Sequence, residues 1–575
     1  MKIPLRLDQN RAFALPLALA FLSGLWLRWH LLADQVFSDD EWHALYYVIG
    51  KSPVWLLTHF SIPGATCIPL NFYTWVLGAT VGWSELLLRL PSLVCGLLCV
   101  LVCPLLARKL IGTQCAIWLG FLLAVSPLLV FYSRICRPYS AVALLAFAAL
   151  LFAARWMQSG GLRPAIGFVI TGVLAIYFHL FAVVTVAAPL LAVIVFIAWK
   201  RWSGKSPGAL AGITFWQWLL VTLLMVGVSG ILVLPALVHS LQSTFFTIAL
   251  KGSFSSQSLP QIALLISGTG QPVLAFLFWA ALIVGVIGQC RRDPWFGWML
   301  VSLYPLHALA LVLSRPDSIQ SAIVLTRYCI PLVPVSLLFV ACGIQSTLEV
   351  VAARAILQPV LQKLIAVACV VALVITGPLP QCYNTPINFT SHGAYQHRYG
   401  TIDWRRSFYS DITPASFTLT TTIRADEISP FYEQLANQPG ARPIVEYPMM
   451  IGDHFNPLYY YQHFHRRPVI VGYTTDVSLA NGLAPGNIYG NTYIDQVLSL
   501  VSEPSRLRFR NLIDMDNLPA MRSRGVEYVV LHKHFEAQLP EVAQPLPDLD
   551  RLRNQYRKEL GEPFYEDAQV AVFRP

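Results

Sequence analysis

Charge is what this sequence has least of. Asp, Glu, Lys and Arg together make up 12% of its 575 residues, while 56% are hydrophobic; soluble domains carry roughly 25% charged residues. That shortage excludes an ordinary soluble enzyme. No Cys-X-X-Cys pair occurs, and the 11 cysteines show no Cys/His spacing of a zinc site. Most of them (Cys95, Cys99, Cys103, Cys115, Cys342, Cys369) lie inside apolar stretches, where cysteine behaves as a small buried hydrophobe. None follows Cys382, so the final third is not a disulfide scaffold. No basic face with interleaved aromatics is present either. The net charge of +10 therefore does not indicate a nucleic-acid partner.

What is present is a series of long apolar runs. A helix needs about 20 apolar residues to cross the hydrocarbon core, and about eleven such stretches are expected: 12–32, 84–106, 113–132, 138–157, 164–180, 181–199, 215–238, 260–289, 296–314, 329–346 and 363–380. The first is too long for a typical leader and lacks a small-residue cleavage site after it, so it is expected to be a retained span. With the N-terminus inside, every inner connection is basic: Lys2, Arg6 and Arg11; Arg108 and Lys109; Arg155 and Arg163; Lys200, Arg201 and Lys205; Arg291 and Arg292; Arg354 and Lys363. This is the positive-inside pattern. An odd number of spans then puts the C-terminus outside. The expectation is a polytopic α-helical membrane protein in a bacterial inner membrane, N-terminus cytoplasmic.

Two outer regions stand apart. Residues 33–83 are aromatic and amphipathic, which suits helices lying in the membrane interface. Residues 381–575 lose the spans and gain charge, Pro and Tyr. "RPIVEYPM", "RPVIVGY", "VEYVVLH" and "AQVAVFR" read as strands, and "ISPFYEQLANQ" and "LDRLRNQYRKEL" as helices. The expected division is a transmembrane domain over 1–380 and a periplasmic α/β domain over 381–575. The histidines of that domain, His454, His463, His465, His532 and His534, lack metal-site spacing and read as polar residues at strand ends.

The chemistry concentrates at the outer face. "QVFSDDEWHALYY" places Asp39, Asp40 and Glu41 side by side just after the first span. Arg134 and Arg137 in "YSRICRPYS", and Arg315 and Arg327 in "SRPDSIQSAIVLTRY", break the inside-positive rule; Arg89 falls near the outer end of the second span. Ionisable groups at membrane depth often mark a functional site, and guanidinium matches phosphate by charge and by its bidentate fork. Snorkelling to lipid headgroups is the bland alternative, with equal weight for Arg89 and Arg315. His179, in "AIYFHLF", sits at an outer turn, where a structural role is the commoner outcome. Carboxylates beside phosphate-binding arginines at a lipid interface suggest transfer from a phosphorylated lipid, with a carboxylate taking a proton from an acceptor hydroxyl and arginines stabilising the leaving phosphate.

The chain resembles the C-type glycosyltransferases, in particular bacterial relatives of protein O-mannosyltransferases and of the lipid A aminoarabinose transferase. The resemblance lies in "DDEWHALYY", "SELLLRLPSLVCGLL", "AVSPLLVFYSRICRPYSAVALL", "YFHLF" and "TRYCIPLVPV", in that order. It implies an undecaprenyl-phosphate sugar donor and a periplasmic acceptor, with inversion at the anomeric carbon. It also implies Asp40 as base, with Glu41 and Asp39 supporting it or binding a divalent cation (Mg or Mn). Arg137, Arg134, Arg327 and Arg89, with Tyr139 and His179, would then surround the donor phosphate. One departure is "PGATCIPLNFY", where Cys67 and Ile68 stand in place of the family's His-Pro. A lipid or sugar transporter or flippase, and a non-catalytic scaffold with an outer binding domain, are the rival readings. A transporter places ionisable groups mid-membrane and often shows internal repeats; here the acids cluster at an interface.

Overall fold

A computed structural model describes residues 5–30, 32–33, 41, 44–45, 47–60, 67–203, 213–240, 254, 258–316, 319, 322–353, 358–377, 379, 429–438, 442–447, 449–450, 462, 465–469, 512–513, 517–533 and 549–575. From the N-terminus run α1 (Leu5–Trp29), α2 (Pro53–Thr58), α3 (Ile68–Thr80), α4 (Glu85–Ile111), α5 (Thr113–Val125) and α6 (Pro127–Ser133). Then come α7 (Tyr139–Ser159), α8 (Leu162–Phe178), α9 (Val183–Ser203), α10 (Phe215–His239), α11 (Ser258–Ser267) and α12 (Pro272–Arg292). The helical part closes with α13 (Pro294–Ser314), α14 (Ala322–Tyr328), α15 (Leu332–Ala353) and α16 (Pro359–Thr376).

Eight of these are long and apolar enough to cross a membrane: α1, α4, α7, α9, α10, α12, α13 and α15. The pair α5 and α6, bent by 58°, makes a ninth if counted as one span, and α8 and α16 are shorter apolar helices. Every expected stretch thus holds an apolar helix. The stretch 260–289 is divided, because Gly268 ends α11 with φ +76, a left-handed conformation that favours glycine. Helices α2 and α3 lie in the segment expected to hold interfacial helices.

Packing follows side-chain size. α7, "YSAVALLAFAALLFAARWMQS", is rich in alanine and is buried along most of its length, so neighbours approach it closely. α12 and α15 touch backbone to backbone: a Cβ on Gly285 would collide with the Phe339 carbonyl, and one on Gly343 with the Ala281 carbonyl. α10 and α12 instead leave Leu223, Val226, Ile231, Phe276 and Ile283 open. Such a surface is stable against acyl chains and not against water.

The C-terminal part is a small mixed sheet with helices. α17 (Pro430–Asn437) precedes β1 (Ile444–Tyr447), and a short antiparallel pair joins β2 (Met449–Met450) to β3 (Leu512–Ile513). α18 (Leu518–Ser523), β4 (Tyr528–His532), α19 (Leu549–Leu560), β5 (Tyr565–Glu566) and β6 (Val570–Phe573) complete it. The sheet order is β1-β4-β6-β5, with β1 and β4 parallel and the other pairs antiparallel. Three of the four expected strands form, and "RPVIVGY" contributes an isolated bridge, Val469 to Ile444. The expected division at 380/381 lies outside the described residues.

Candidate active site

The site grows from a broken helix. Pro127 has no N–H, so the Leu123 carbonyl one turn back loses its intrahelical donor. Arg28, fully buried at the end of α1, supplies the replacement: Nη2 donates to Leu123 O at 3.0 Å and Nη1 to Ala124 O at 2.8 Å. Its Nε donates to Ser133 Oγ at 3.1 Å on the far side of the break. Gly96 on α4 permits this approach, since a Cβ there would collide with Ser133 Oγ. One arginine therefore fixes the angle at which α6 delivers the next turn.

That turn, 134–138, returns the favour. Arg134 is fully buried, and its Nη1 donates to the carbonyls of Leu27, Arg28 and His30 at 3.1, 3.0 and 2.8 Å. These are the unpaired carbonyls at the C-terminal end of α1, where a cation also meets the helix dipole. Arg134, expected at a donor phosphate, is placed as a helix cap.

Glu41 and Arg89 find each other. Arg89 Nε and Nη2 donate to Oε1 and Oε2 of Glu41, both at 2.7 Å, and both side chains are wholly buried. Glu41 Oε1 also accepts the Cys136 backbone N–H at 2.8 Å. Arg89 is thus committed to a carboxylate instead of a phosphate, and Glu41 is filled by protein donors, which does not fit the metal-binding role expected of it. Asp39 and Asp40 lie outside the described residues.

Arg137, Tyr139 and His179 come together. The Arg137 guanidinium lies 5.8 Å from the Tyr139 ring centre, and its charge acts on His179 and on Cys67 and Cys136. Tyr139 and His179 are 6.0 Å apart, and His179 is 6.0 Å from Tyr328. Tyr328 ends α14 directly after the half-buried Arg327. His179 Nδ1 accepts the Phe181 N–H at 3.2 Å. The proton of the neutral ring therefore sits on Nε2, which is a donor. Ser92 Oγ donates to the Arg137 carbonyl at 2.8 Å, fixing the backbone beneath it. Arg315 is exposed at the end of α13.

In the helical part, the fully buried charged side chains among the described residues are Arg28, Arg89, Arg134 and Glu41. Guanidinium outnumbers carboxylate, and Arg137 adds to the excess. The result is a local positive field that favours an anion.

Among the described residues no group of three or more His, Cys, Asp or Glu is arranged to hold a metal. His59 and His239 form a pair, ring centres 4.6 Å apart. Nδ1 of His59 lies 3.1 Å from Trp55 O, and Nδ1 of His239 lies 2.7 Å from Pro235 O. A proton on each Nδ1 leaves the Nε2 lone pair as a ligand. Imidazole suits zinc better than the expected Mg or Mn.

Sequence reasoning missed Arg28, Ser133 and Cys136. Arg28 had a visible signal, a lone cation in the last turn of an apolar helix.

No family model matches the chain, and no curated protein matches it. Solved structures do. ArnT from Cupriavidus metallidurans in the apo state is similar over 98% of both chains, at 15% identity and a TM-score of 0.48. The same protein bound to undecaprenyl phosphate gives 97% of both chains, 14% and 0.46. The oligosaccharyltransferase of Archaeoglobus fulgidus, in complex with Zn and sulfate, matches over 90% of this chain and 68% of its own, at 15% identity and a TM-score of 0.43.

Proposed function

We propose that the protein is an inner-membrane glycosyltransferase that moves a sugar from undecaprenyl phosphate to a periplasmic acceptor, whether lipid, glycan or protein. The observation that carries this reading is the Glu41 carboxylate held at once by Arg89 and by the Cys136 N–H. It ties the acidic motif, of which Asp40 is the next residue, to the turn that carries Arg137. A base and a phosphate ligand are thereby joined on one scaffold.

In the proposed reaction Asp40 takes the proton of an acceptor hydroxyl, whose oxygen forms a bond to the anomeric carbon from the face opposite the phosphate. The bond from that carbon to the phosphate oxygen breaks, and its electron pair leaves with undecaprenyl phosphate. Arg137 and Arg327 meet the growing negative charge. His179 Nε2–H and the Tyr139 hydroxyl are further donors within the same group. The configuration inverts. The reading also takes the N-terminus as cytoplasmic and residues 381–575 as a periplasmic domain. A metal at His59 and His239 would join α2 to α10 and would supply positive charge at that end of the bundle.

Binding of undecaprenyl phosphate to the purified protein, followed by native mass spectrometry, tests the phosphate ligand. Arg137→Ala is expected to lower retention at least tenfold, while Arg315→Ala leaves it unchanged. Equal loss in both variants, or in neither, removes Arg137 from the site.

A further inference from the structure

The C-terminal part buries a titratable group of its own. Glu446 on β1 is 0% exposed. Its Oε2 accepts from the Tyr432 hydroxyl at 2.8 Å and lies 3.0 Å from His532 Nε2. Its Oε1 faces His465 Nε2 at 3.4 Å. The Tyr432 ring stacks on both imidazoles, at 5.6 Å from His465 and 6.1 Å from His532. Four segments thus meet at one carboxylate: α17, β1, β4 and the 465–469 stretch. The other charged groups facing it are Arg466 and Arg467, both acting on His465, and Arg467 is paired with Glu527 at 2.9 Å.

The protonation state of His465 follows from its partners. Nδ1 accepts the Arg467 backbone N–H at 3.0 Å, so the neutral ring carries its proton on Nε2 and aims it at Glu446. A second proton would have to go on Nδ1, where it would meet the Arg467 N–H donor head-on. The same stretch is fastened to β1 through Ile444 N to Pro468 O, at 2.8 Å, and the Val469 bridge.

We propose that this cluster is an acid-sensitive latch: protonation of His465 breaks its bond to the Arg467 N–H and releases residues 465–469 from the edge of β1. Geometry and burial agree in sign. Burial, outweighing the pull of Glu446, holds the His465 pKa below its ordinary 6.5. The unfolded chain therefore gains a proton near pH 6.5 that the folded chain resists, and stability falls as pH falls through that range. Glu446 extends the loss below 4.5: burial raises its pKa, but hydrogen bonds from His465 and His532 prevail and hold it down. Exposure of the latch to external acid rests on the periplasmic placement proposed above; the latch itself does not.

Hydrogen exchange of the full chain in detergent, corrected for the intrinsic pH dependence of exchange, tests it. Between pH 7.5 and 5.5 the protection of peptides covering 444–447 and 465–469 is expected to fall about tenfold. His465→Asn keeps an acceptor for the Arg467 N–H without a titrating ring, and is expected to flatten the response. Unchanged protection in the wild type across that range overturns the proposal, whether or not the variant folds. An undiminished fall in a folded His465→Asn overturns it as well.

Discussion

Two regions of this molecule bury charge, and they do so in opposite ways. In the membrane part the buried cations are arginines, and Arg28 and Arg134 are stitched mainly to backbone carbonyls that a helix break and a helix end leave without donors. In the C-terminal part the buried bases are imidazoles gathered around Glu446. Guanidinium stays charged at every pH the protein meets; imidazole changes charge in the physiological range. The first arrangement suits a scaffold that has to stay fixed around an anion. The second suits a joint that responds to acid. The lesson is that burial alone does not decide what a charged cluster does; the titration of its members does.

The largest expected effect separates pairing from capping. Arg89→Leu leaves the Glu41 carboxylate buried without its bidentate partner, and is expected to cost about 3–5 kcal/mol. The double change Glu41→Leu with Arg89→Leu is expected to recover most of that in thermal unfolding of the detergent-solubilised protein. A double variant as weak as the single one would show that the pair does more than neutralise itself. Arg28→Met and Arg134→Met each remove charge-assisted bonds to carbonyls, for an expected loss of about 1.5–3 kcal/mol apiece. Because the two arginines brace opposite sides of one junction, the combined loss should depart from the sum, which a double-mutant cycle reads directly. The smallest effect is the pH response of the C-terminal part. Loss of about 1.4 kcal/mol between pH 7.5 and 5.5 is expected from one buried neutral histidine, visible in the melting of that part and diminished in His465→Asn.

The spans were legible because hydropathy is a local property, and each apolar stretch became an apolar helix. The split at Gly268 was not, since nothing in a window average marks where one glycine turns left-handed. Of the candidate site, the motif around "RPYS" and "YFHLF" drew attention to Arg137, Tyr139 and His179, which do converge. Arg89 and Arg134 were noticed for the right physical reason, a cation at membrane depth, but their partners could not be read. Glu41 stands 48 residues from Arg89, and the carbonyls that Arg134 caps are more than a hundred residues from it. Contacts of that range depend on how helices pack, not on spacing along the chain. The Glu446 cluster was hidden in the same way: His532 reaches Glu446 across 86 residues, through the parallel pairing of β1 with β4. Those histidines read as strand-end residues, and His532 does end β4; His454, His463 and His534 lie outside the described residues.

The most direct test of the central claim is turnover. Purified protein is incubated with a panel of undecaprenyl-phosphate sugars and cell-envelope acceptors, and free undecaprenyl phosphate is measured for the wild type, Asp40→Asn and Arg137→Ala. The account predicts release by the wild type with one class of donor, and a loss of at least a hundredfold in both variants while each still folds. Release that survives Asp40→Asn, or no release with any donor in the presence of those acceptors, would contradict it.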